Sequence, residues 1–484
     1  MADEIELKLE LTPEAANLVE ASPLLASDPA KAIQRSIYFD TPDSLLFKAG
    51  LSLRIRCSRR KRIQTVKVDG RSAAGLFARS EWEQVVKDDI PVLDDSTPIL
   101  TLLRGKARAI APAFEVHVER RTWNIREGDA AIELVLDRGE IVAGDRRIPV
   151  CEIELELKEG DPAALFAFAR KVDAVAPLRL GVLSKAERGY RLRGPAVAAV
   201  KAEPIALNGD MTPAMAFQYV AGACVRQFRS NEALLKGRGE DALHQTRVGL
   251  RRLRSALLIF EPLFVGEEAI RLREELRWLA AKLGDARNLD VLIARSVTGS
   301  VRSRLEAARE DAYLRAGKAL ASTRARTLML DLSEWIATGS WLKQTGIQMP
   351  REQASKAFAS QALDRMRRKV KKAGRDLTAL DDVARHQVRK EVKKLRYAAE
   401  FFSALFDSKR EKRRYKRYID TLECLQNELG ALNDLAAATM ILDRLGLSDD
   451  PEAQSLLAAD KKNARLKVAD EAKEELLDAK RFWR

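Results

Sequence analysis

The hydrophobic periodicity changes once along the 484 residues of this chain, and that change most constrains the fold. Up to about residue 193, apolar residues recur mainly at every second position, as in half-buried β-strands. From about residue 212 they recur with a period of about 3.6, as in amphipathic helices. The sequence therefore predicts an α+β protein with two domains, one β-rich and one all-helical.

The segment between the two patterns, 193–213, is rich in Pro, Gly and Ala, which is typical of a linker. It ends in Thr212 and Pro213, a helix N-cap followed by proline at the first helical position. Before it, eight segments alternate as strands do, at 4–11, 33–40, 51–57, 63–69, 78–86, 114–125, 131–140 and 150–157. Helices are expected at 13–21, 96–105 and 161–175.

The net charge of +14 lies entirely in the C-terminal part of the chain. Residues 1–200 carry 31 basic and 31 acidic residues, which leaves 54 basic and 40 acidic residues in 201–484. A one-sided field of this kind attracts a polyanion: nucleic acid, an anionic membrane surface or a phosphate polymer. A basic surface without a partner is the alternative.

Membrane insertion and secretion are not expected. The first ten residues are acidic, and no apolar run approaches the roughly 18 residues that span a bilayer. The four cysteines are far apart and form no C-x-x-C pair, so neither a zinc site nor a disulfide framework is indicated. The sequence predicts a cytoplasmic protein with reduced cysteines.

Charged residues follow the strands with a two-residue rhythm. The first strand, EIELKLEL, places Glu4, Glu6 and Lys8 on one face and apolar residues on the other. Acidic faces recur in AIELVLDRGE and CEIELELKEG, and basic ones in LSLRIR, QTVKVDG, ARSEWE and ERRTWN. One such strand could simply have a solvated face. If all the strands close into an antiparallel barrel with their apolar faces outward under helices, the charged faces meet in one lumen.

Such a lumen suits a small, highly charged phosphate compound together with a metal ion. Converging carboxylates repel one another unless hard cations neutralise them, and Mg²⁺ and Mn²⁺ prefer oxygen ligands. Arg and Lys bind phosphate oxygens, Arg in a bidentate manner. The combination is typical of phosphoryl transfer, in which positioning and charge neutralisation supply most of the catalysis.

The ordered series E-x-E-x-K (4–8), YFDTPD, LSLRIR, KVDG, ARSEWE, AIELVLDRGE, CEIELELKEG and LSKAERGY (183–190) resembles the CYTH domain, the triphosphate tunnel metalloenzymes. The resemblance covers residues 1–193 and implies an eight-stranded antiparallel β tunnel with flanking helices. It also implies hydrolysis of triphosphates with a divalent metal, Mg²⁺ or Mn²⁺.

Position by position, the resemblance implies roles for individual residues. The implied metal ligands are Glu4, Glu6, Glu152 and Glu154. The implied substrate-binding cations are Arg54, Arg56, Lys67, Arg79 and Arg120. The implied catalytic residues are Lys8, which contacts the triphosphate; Asp137, which holds metal or the attacking water; and Lys185, which contacts the phosphate end.

The helical half contains an internal duplication. HQTRVGLRRLRSALLIF (244–260) and HQVRKEVKKLRYAAEFF (386–402) align without a gap at an offset of 142 residues. Both carry polar residues at positions 0, 3, 7 and 10, which lie within an arc of roughly 80° on a helix. These residues are His244, Arg247, Arg251 and Arg254, and His386, Arg389, Lys393 and Arg396. Clustered like charges cost stability, so the stripe favours an anionic ligand, although a His among Arg residues is often only a packing residue.

A second pair of segments, LAAKLGDARNLD (279–290) and LQNELGALNDLA (425–436), predicts a helix, a Gly break and a capped next helix in each half. We expect two helical repeats, about 213–340 and 355–445, related by a pseudo-twofold axis. These features resemble the CHAD domain, the histidine α-helical domain often joined to CYTH in bacteria, over 213–445. The resemblance implies a basic channel that binds inorganic polyphosphate.

The predicted organisation is a tunnel domain at 1–193, a linker at 194–212, the helical domain at 213–445 and a charged helical tail at 446–484. The predicted function is hydrolysis of inorganic triphosphate to pyrophosphate and phosphate beside a polyphosphate-binding domain. The alternative is a polyphosphate-targeted binding protein whose tunnel acts on thiamine triphosphate or a nucleoside triphosphate. Nucleic-acid binding is not favoured, because stacking aromatics are sparse on the basic stripes.

Overall fold

A computed structural model describes residues 4–25, 27–58, 61–68, 71–73, 75–237, 239–264, 266–295, 299–342, 354–458 and 462–484. The chain forms two compact units. The N-terminal unit contains residues 1–198 and 323–339, and the C-terminal unit contains 199–322 and 340–484. Residues 323–339 thus pack with the N-terminal unit, although they lie within the segment predicted as the first helical repeat. No helix in the described ranges has both the length and the apolar character that crossing a bilayer requires.

The N-terminal unit is built on a curled antiparallel sheet. Its strands are β1 (Glu4–Glu10), β2 (Ala30–Asp40), β3 (Leu51–Ser58), β4 (Lys61–Val68), β5 (Arg71–Ala73), β6 (Leu76–Arg79), β7 (Glu81–Val85), β8 (Ala111–Glu127), β9 (Ala130–Ala143), β10 (Arg146–Glu159) and β11 (Arg179–Leu180). They lie in the order β5-β6-β1-β10-β9-β8-β2-β3-β4-β7, and β11 pairs with β1. The helices of this unit are α1 (Pro13–Glu20), α2 (Leu45–Lys48), α3 (Ile99–Leu103), α4 (Ala163–Val175), α5 (Lys185–Arg193) and α11 (Thr323–Thr338).

Ser80 joins the two ends of this sheet. Strand β6 pairs with β1 near one end of the strand order, and β7 pairs with β4 at the other. Ser80 is the one residue between β6 and β7, and its carbonyl accepts a hydrogen bond from Val68 N at 3.2 Å. The continuous segment 76–85 therefore connects both ends of the sheet around the curl.

The prediction of eight strands is corrected, because the described part of the chain contains eleven. Seven predicted strands match β1, β2, β3, β4, β8, β9 and β10 to within a few residues. The eighth, 78–86, divides at Ser80 because its two halves pair with different partners. The short strands β5 and β11 carry too few alternating residues to give a signal in the sequence.

Alternation gives the sheet one apolar and one charged face. Leu7, Leu9, Ile153 and Leu155 are fully buried, and helix α4 contacts β1 and β10 on this side. Burial of a leucine or isoleucine side chain contributes about 1.5–3 kcal/mol, so this packing determines which face points outward. The side chains that alternate with them, such as Lys8 and Glu154, therefore point into the curl.

Helix α11 packs on α4 within this unit. Arg326 Nε donates to Asp173 Oδ1 at 2.6 Å, and Arg170 Nη2 donates to Asp331 Oδ1 at 2.8 Å, so each helix supplies one arginine and one aspartate. Buried Leu328 lies between Arg326 and Asp331 along α11, and buried Leu332 follows Asp331. Residues 1–200 alone would lack this packing partner.

The C-terminal unit is all-helical. Its helices are α6 (Pro213–Glu232), α7 (Glu240–Ile259), α8 (Glu268–Lys282), α9 (Gly284–Ile293), α10 (Ser300–Ala321), α12 (Ser355–Ala373), α13 (Asp382–Phe402), α14 (Lys409–Arg444), α15 (Pro451–Ala458) and α16 (Lys462–Asp478). The predicted cap is confirmed, because Thr212 Oγ1 accepts a hydrogen bond from Met215 N at 3.2 Å and Pro213 begins α6.

The two predicted repeats each contain a helical hairpin, α6–α7 and α12–α13, whose second helix carries the histidine. Stacked Phe260 and Phe358, with centroids 5.2 Å apart, join the hairpins in one core. The chain breaks between α8 and α9 next to Gly284 as predicted, but Gly430 lies inside the unbroken helix α14, so the second Gly break was wrong. The pseudo-twofold relation remains a prediction.

The segment 446–484 does form helices, as predicted, but it ends in a packed aromatic group. Phe482 and Trp483 are buried, and Trp483 Nε1 donates to Asp364 Oδ1 of α12 at 2.9 Å. Phe482 packs edge-on against Phe406 with centroids 5.3 Å apart. These contacts make the tail part of the helical core.

Strands β8 and β9 approach each other so closely at Gly139 that a larger residue does not fit there. A Cβ on Gly139 would lie 1.9 Å from the carbonyl oxygen of His117 in the neighbouring strand, and backbone cannot move aside without separating the ladder. We expect Gly139→Ala to destabilise the protein by about 2–3 kcal/mol in urea denaturation. Gly317→Ala is the control, because open space surrounds Gly317 in α10 and alanine favours helix. Equal stability of the two variants would contradict the close approach.

Candidate functional site

A highly charged cavity of about 370 Å³ lies inside the curled sheet. Strands β1–β4 and β7–β10 and helix α5 contribute its lining. The charged lining residues are Glu4, Glu6, Lys8, Arg54, Arg56, Lys67, Glu81, Glu83, Arg120, Glu133, Glu154, Glu156, Lys158 and Lys185. Seven of them are basic and seven acidic, so a small ion entering the cavity meets partners of either sign.

Three carboxylates, Asp137, Glu152 and Glu154, form a compact group at this cavity. One oxygen from each lies within 4.8 Å of the others. Strand register explains the group, because Glu152 of β10 pairs directly with Asp137 of β9 and Glu154 follows two residues later on the same face. Asp137 and Glu152 are 0% and 2% exposed, so their charges need partners from the protein.

The Lys185 ammonium lies among these three carboxylates. Its Nζ is 2.7 Å from Asp137 Oδ2 and 3.0 Å from Glu154 Oε1, and it also pairs with Glu152. Lys185 is the first residue of α5, where the Ser184 hydroxyl accepts from Glu187 N at 3.2 Å. Burial alone would lower the pKa of Lys185, but Asp137, Glu152 and Glu154 outweigh burial and raise it.

Lys8 and Arg120 complete the compensation. Lys8 lies directly opposite Glu154 in the β1–β10 ladder and forms an ion pair with it, while Arg120 Nε donates to Asp137 Oδ1 at 2.8 Å. Burial would raise the pKa of the Glu154 carboxyl, but Lys185, Lys8 and Arg120 hold that pKa well below its usual range. Lys8, Arg120 and Lys185 therefore stabilise the ionised form of the Glu154 carboxyl.

Two arginines of β3 line the cavity, and no carboxylate among the described residues is found in an ion pair with either of them. Arg54 Nη1 lies 3.4 Å from the Tyr38 hydroxyl, and its Nε makes no hydrogen bond. Burial, together with Arg54 and Arg120, lowers the pKa of Arg56 to about 10. Two buried, mutually repelling guanidinium groups are what an anionic ligand would stabilise.

A second acidic region lies on the β1 and β10 side of the cavity. Lys67 Nζ pairs with Glu4 Oε2 at 2.5 Å and with Glu81 Oε2 at 2.8 Å, and this link crosses the curl from β4 to β1. Burial and the nearby charges of Glu4 and Glu133 raise the pKa of the Glu156 carboxyl.

The group of Asp137, Glu152 and Glu154 fits a hard divalent cation. All its donors are carboxylate oxygens, which Mg²⁺ and Mn²⁺ prefer. Lys185 forms an ion pair with the buried Glu152 Oε1, and Arg188 donates to the other oxygen of this carboxylate, Oε2, at 3.0 Å. Glu4 and Glu6 line the same cavity but lie outside this group.

The structure brings most of the sequence-predicted tunnel residues to one place. The cavity lining includes Glu4, Glu6, Lys8, Arg54, Arg56, Lys67, Arg120, Glu154 and Lys185, with Asp137 and Glu152 directly behind them. The backbone of Arg79 pairs with Glu4, and its side chain lies outside the described part of the chain. Tyr38, Lys158 and Arg188, which donates to Glu152 Oε2 at 3.0 Å, were missed. The strand rhythm that selected their neighbours could have indicated Tyr38 and Lys158.

A different charged group lies between α7 and α13 in the helical unit. This cation cluster consists of Arg247, Arg251, Arg389 and Lys393, and the three arginines lie close to Lys393, because all three lower its pKa. Burial and the charges of Arg251 and Arg389 lower the pKa of Lys393 to about 6. Asp434 lies 3.8 Å from Arg389. Among the described residues, three arginines but one acidic residue, Asp434, act on the pKa of Lys393.

The other residues of the predicted stripe have different neighbours. Arg396 pairs with Glu400 and Glu423, each at 2.9 Å. His386 Nδ1 hydrogen-bonds to Asn433. His244 lies beside Arg287, and burial with Arg287, Arg251 and Arg247 lowers its pKa to about 4, so this histidine is neutral.

Arg254 lies near Arg273 and Arg277 of α8. Arg287, on α9, was missed as a member of the cluster. The segment containing it was predicted only as a helix cap.

Lys393 makes the stability of the helical unit depend on pH. The pKa is about 6 in the folded protein and 10.5 ordinarily, so between these values the unfolded chain binds a proton that the folded chain does not. We expect stability to rise with pH through this window and Lys393→Met to raise the melting temperature more at pH 7 than at pH 10. Lys390→Met is the control, because Lys390 is exposed on the same helix. A pH-independent effect of Lys393→Met would contradict the repulsion.

Two family models match this chain. The model of the CYTH domain matches residues 2–190, and the model of the CHAD domain matches residues 220–443. The two matches follow one another in the order that the motifs indicated.

Among curated proteins, an inorganic triphosphatase of Haemophilus influenzae is 32% identical over 203 residues, which cover 40% of this chain and 55% of the relative. The chain thus spans about half the length of the curated relative it matches.

Solved structures with similarity include the CHAD domain from the plant Ricinus communis, 27% identical with a TM-score of 0.48, covering 57% of this chain and 96% of that one. HpAC1 from Hippeastrum, described as an adenylyl cyclase candidate that reveals a dominant triphosphatase activity, is 20% identical with a TM-score of 0.29, and the match covers 38% of this chain and 93% of that one. Both scores are below 0.5, so neither likeness establishes a function here.

Proposed function

We propose that this chain, which carries a CYTH domain followed by a CHAD domain, hydrolyses inorganic triphosphate to pyrophosphate and phosphate with a divalent metal ion. The observation that carries the proposal is the convergence of a three-carboxylate group and a set of incompletely paired cations on one cavity of about 370 Å³. The similarity over 203 residues to a curated inorganic triphosphatase supports it.

The residues divide by charge. Asp137, Glu152 and Glu154 would hold Mg²⁺ or Mn²⁺, with Glu4 and Glu6 as the further ligands predicted from the sequence. Arg54, Arg56, Lys67, Arg79 and Arg120 would bind the phosphate oxygens, with Lys8 beside them. When bound, the metal would neutralise phosphate charge and lower the pKa of a coordinated water.

Inorganic triphosphate is favoured over a nucleoside or thiamine triphosphate by the lining. Tyr38 is the one aromatic ring among the lining residues of the described chain, and it is already stacked on Phe114 with centroids 4.6 Å apart. A base or thiazolium ring would find charged groups instead of an apolar platform, and these suit a ligand that is phosphate throughout.

The full chain should release phosphate from triphosphate with Mg²⁺ or Mn²⁺ and stop in excess EDTA. Glu154→Gln should lower kcat by about a hundredfold or more, because one charge of the metal group is lost. Glu119→Gln is the matched control, since Glu119 is an exposed partner of Arg121 outside the cavity. Undiminished hydrolysis in EDTA, or a folded Glu154→Gln variant as active as the control, would refute the proposal.

We also propose that the helical unit binds inorganic polyphosphate, and the cation cluster between α7 and α13 is the observation that favours it. Burial and the charges of Arg251 and Arg389 lower the Lys393 pKa to about 6, and a linear polyanion would stabilise the cations that repel one another here. Arg247, Arg251, Arg389 and Lys393 would contact it, with His244, Arg254, His386 and Arg396 completing the stripe predicted from the sequence.

Two matched double variants separate the cluster from the wider stripe. Arg251→Ala with Arg389→Ala should weaken polyphosphate binding at least about tenfold. It should also reduce the slope of log affinity against log salt concentration by about two, because two phosphate contacts are lost. Arg254→Ala with Arg396→Ala removes the same charge from the same two helices and should have a smaller effect, because Arg396 already pairs with Glu400 and Glu423. Binding titrations at several salt concentrations measure both. Equal losses would indicate a diffuse basic surface.

A further inference from the structure

The Lys185 ammonium and a divalent metal ion compete for one position. Lys185 Nζ lies 2.7 Å from Asp137 Oδ2 and 3.0 Å from Glu154 Oε1 and also pairs with Glu152. These are the three carboxylates whose oxygens are close enough together to bind one metal ion. The three carboxylates that would bind the metal ion are thus the same three that now surround the ammonium.

We propose that Lys185 and the metal ion exchange at this position: the ammonium compensates the three carboxylates in the metal-free protein, and the metal displaces it into the cavity. The inference rests on the proposed metal-dependent function and assigns Lys185 a role in metal binding. Lys185 thereby becomes the residue that couples metal loading to phosphate binding.

Charge makes simultaneous occupancy unfavourable. Four cations, Lys8, Arg120, Arg188 and Lys185, contact the group, and they match the four negative charges of the group and of Glu6, which also pairs with Lys8. A divalent ion added beside them would leave two positive charges in excess, and Mg²⁺ requires oxygens at about 2.0–2.1 Å. A metal ion and an ammonium group a few ångströms apart repel each other strongly, because little water lies between them to screen their charges. Departure of Lys185 removes that repulsion.

The local structure allows the side chain to move while its backbone stays. Lys185 is the first residue of α5, and the reciprocal bonds between Ser184 and Glu187 hold this end of the helix. The side chain already lines the cavity, together with Arg54 and Arg56. A displaced ammonium would therefore enter the space assigned to the phosphates and increase the positive charge there.

Metal affinity measured on the full chain tests the exchange directly. In the absence of triphosphate, Mn²⁺ binding is titrated by electron paramagnetic resonance for the wild type, Lys185→Met and Lys67→Met. Lys67 is the matched control, because it lies in the same cavity but pairs with Glu4 and Glu81 instead of the three-carboxylate group. Removing either lysine strengthens the general attraction for a cation. We expect Lys185→Met to bind Mn²⁺ at least about tenfold more tightly than Lys67→Met, because it also loses the competitor.

Thermal melting gives a second readout on the same proteins. Without metal, Lys185→Met should melt below the wild type because three buried carboxylates lose a partner, and saturating Mg²⁺ should raise its melting temperature more than that of the wild type. Equal Mn²⁺ affinity of the two variants, or weaker binding by Lys185→Met, would overturn the exchange.

Amine labelling of the wild type tests the exchange even if Lys185→Met does not fold. Acetic anhydride should acetylate Lys185 slowly in EDTA and several-fold faster in Mg²⁺, as mass spectrometry of peptides would show, while Lys67 changes little. Unchanged or slower labelling in Mg²⁺ would overturn the inference. A wild type that binds and uses metal but shows no exchange defeats this inference alone. A wild type that hydrolyses triphosphate in EDTA defeats the proposed function as well.

Discussion

Three carboxylates buried side by side are the constraint on which the N-terminal unit depends. Asp137 and Glu152 are almost completely inaccessible, and an isolated buried carboxylate costs several kcal/mol. The fold meets this cost with Lys8 from β1, Arg120 from β8 and Lys185 from α5. Strands β1, β10, β9 and β8 therefore have to be neighbours, and α5 has to begin at the cavity.

The helical unit has the opposite imbalance. The cation cluster between α7 and α13 brings Arg251 and Arg389 close to Lys393. Burial and the repulsion from these arginines lower the pKa of Lys393. In the N-terminal unit, many cavity residues form ion pairs with one another, whereas Arg54 contacts the Tyr38 hydroxyl and repels Arg56. The charges of the N-terminal cavity are thus largely compensated within the protein, whereas the cation cluster of the helical unit has an excess of positive charge.

Two tertiary contacts change how the chain divides. Helix α11 lies within the segment predicted as the first helical repeat, yet it packs on α4 through Arg326 and Asp173 and through Arg170 and Asp331. Its alternation of apolar and polar residues is that of any amphipathic helix and does not specify the surface it covers. The buried Phe482 and Trp483 likewise join a tail predicted from its charge alone to the helical core.

By itself, the sequence determined the fold class, the boundary near residue 200 and the face on which each charged residue lies. These properties follow from local periodicity, because Cβ atoms alternate across a strand and repeat every 3.6 residues on a helix. Glu4, Lys8, Arg54 and Glu154 could therefore be assigned to one interior from spacing and family resemblance.

Only the tertiary structure decided which charges meet. Register across β8, β9 and β10 groups Asp137 with Glu152 and Glu154, while Glu4 pairs with Lys67 across the curl. On α7 and α13, residues of one stripe differ in the neighbours that other helices supply. Arg396, for example, forms an ion pair with Glu423 of α14. A side chain's face depends on its own strand or helix, but its partner depends on another segment whose distance and register are not encoded in the local pattern.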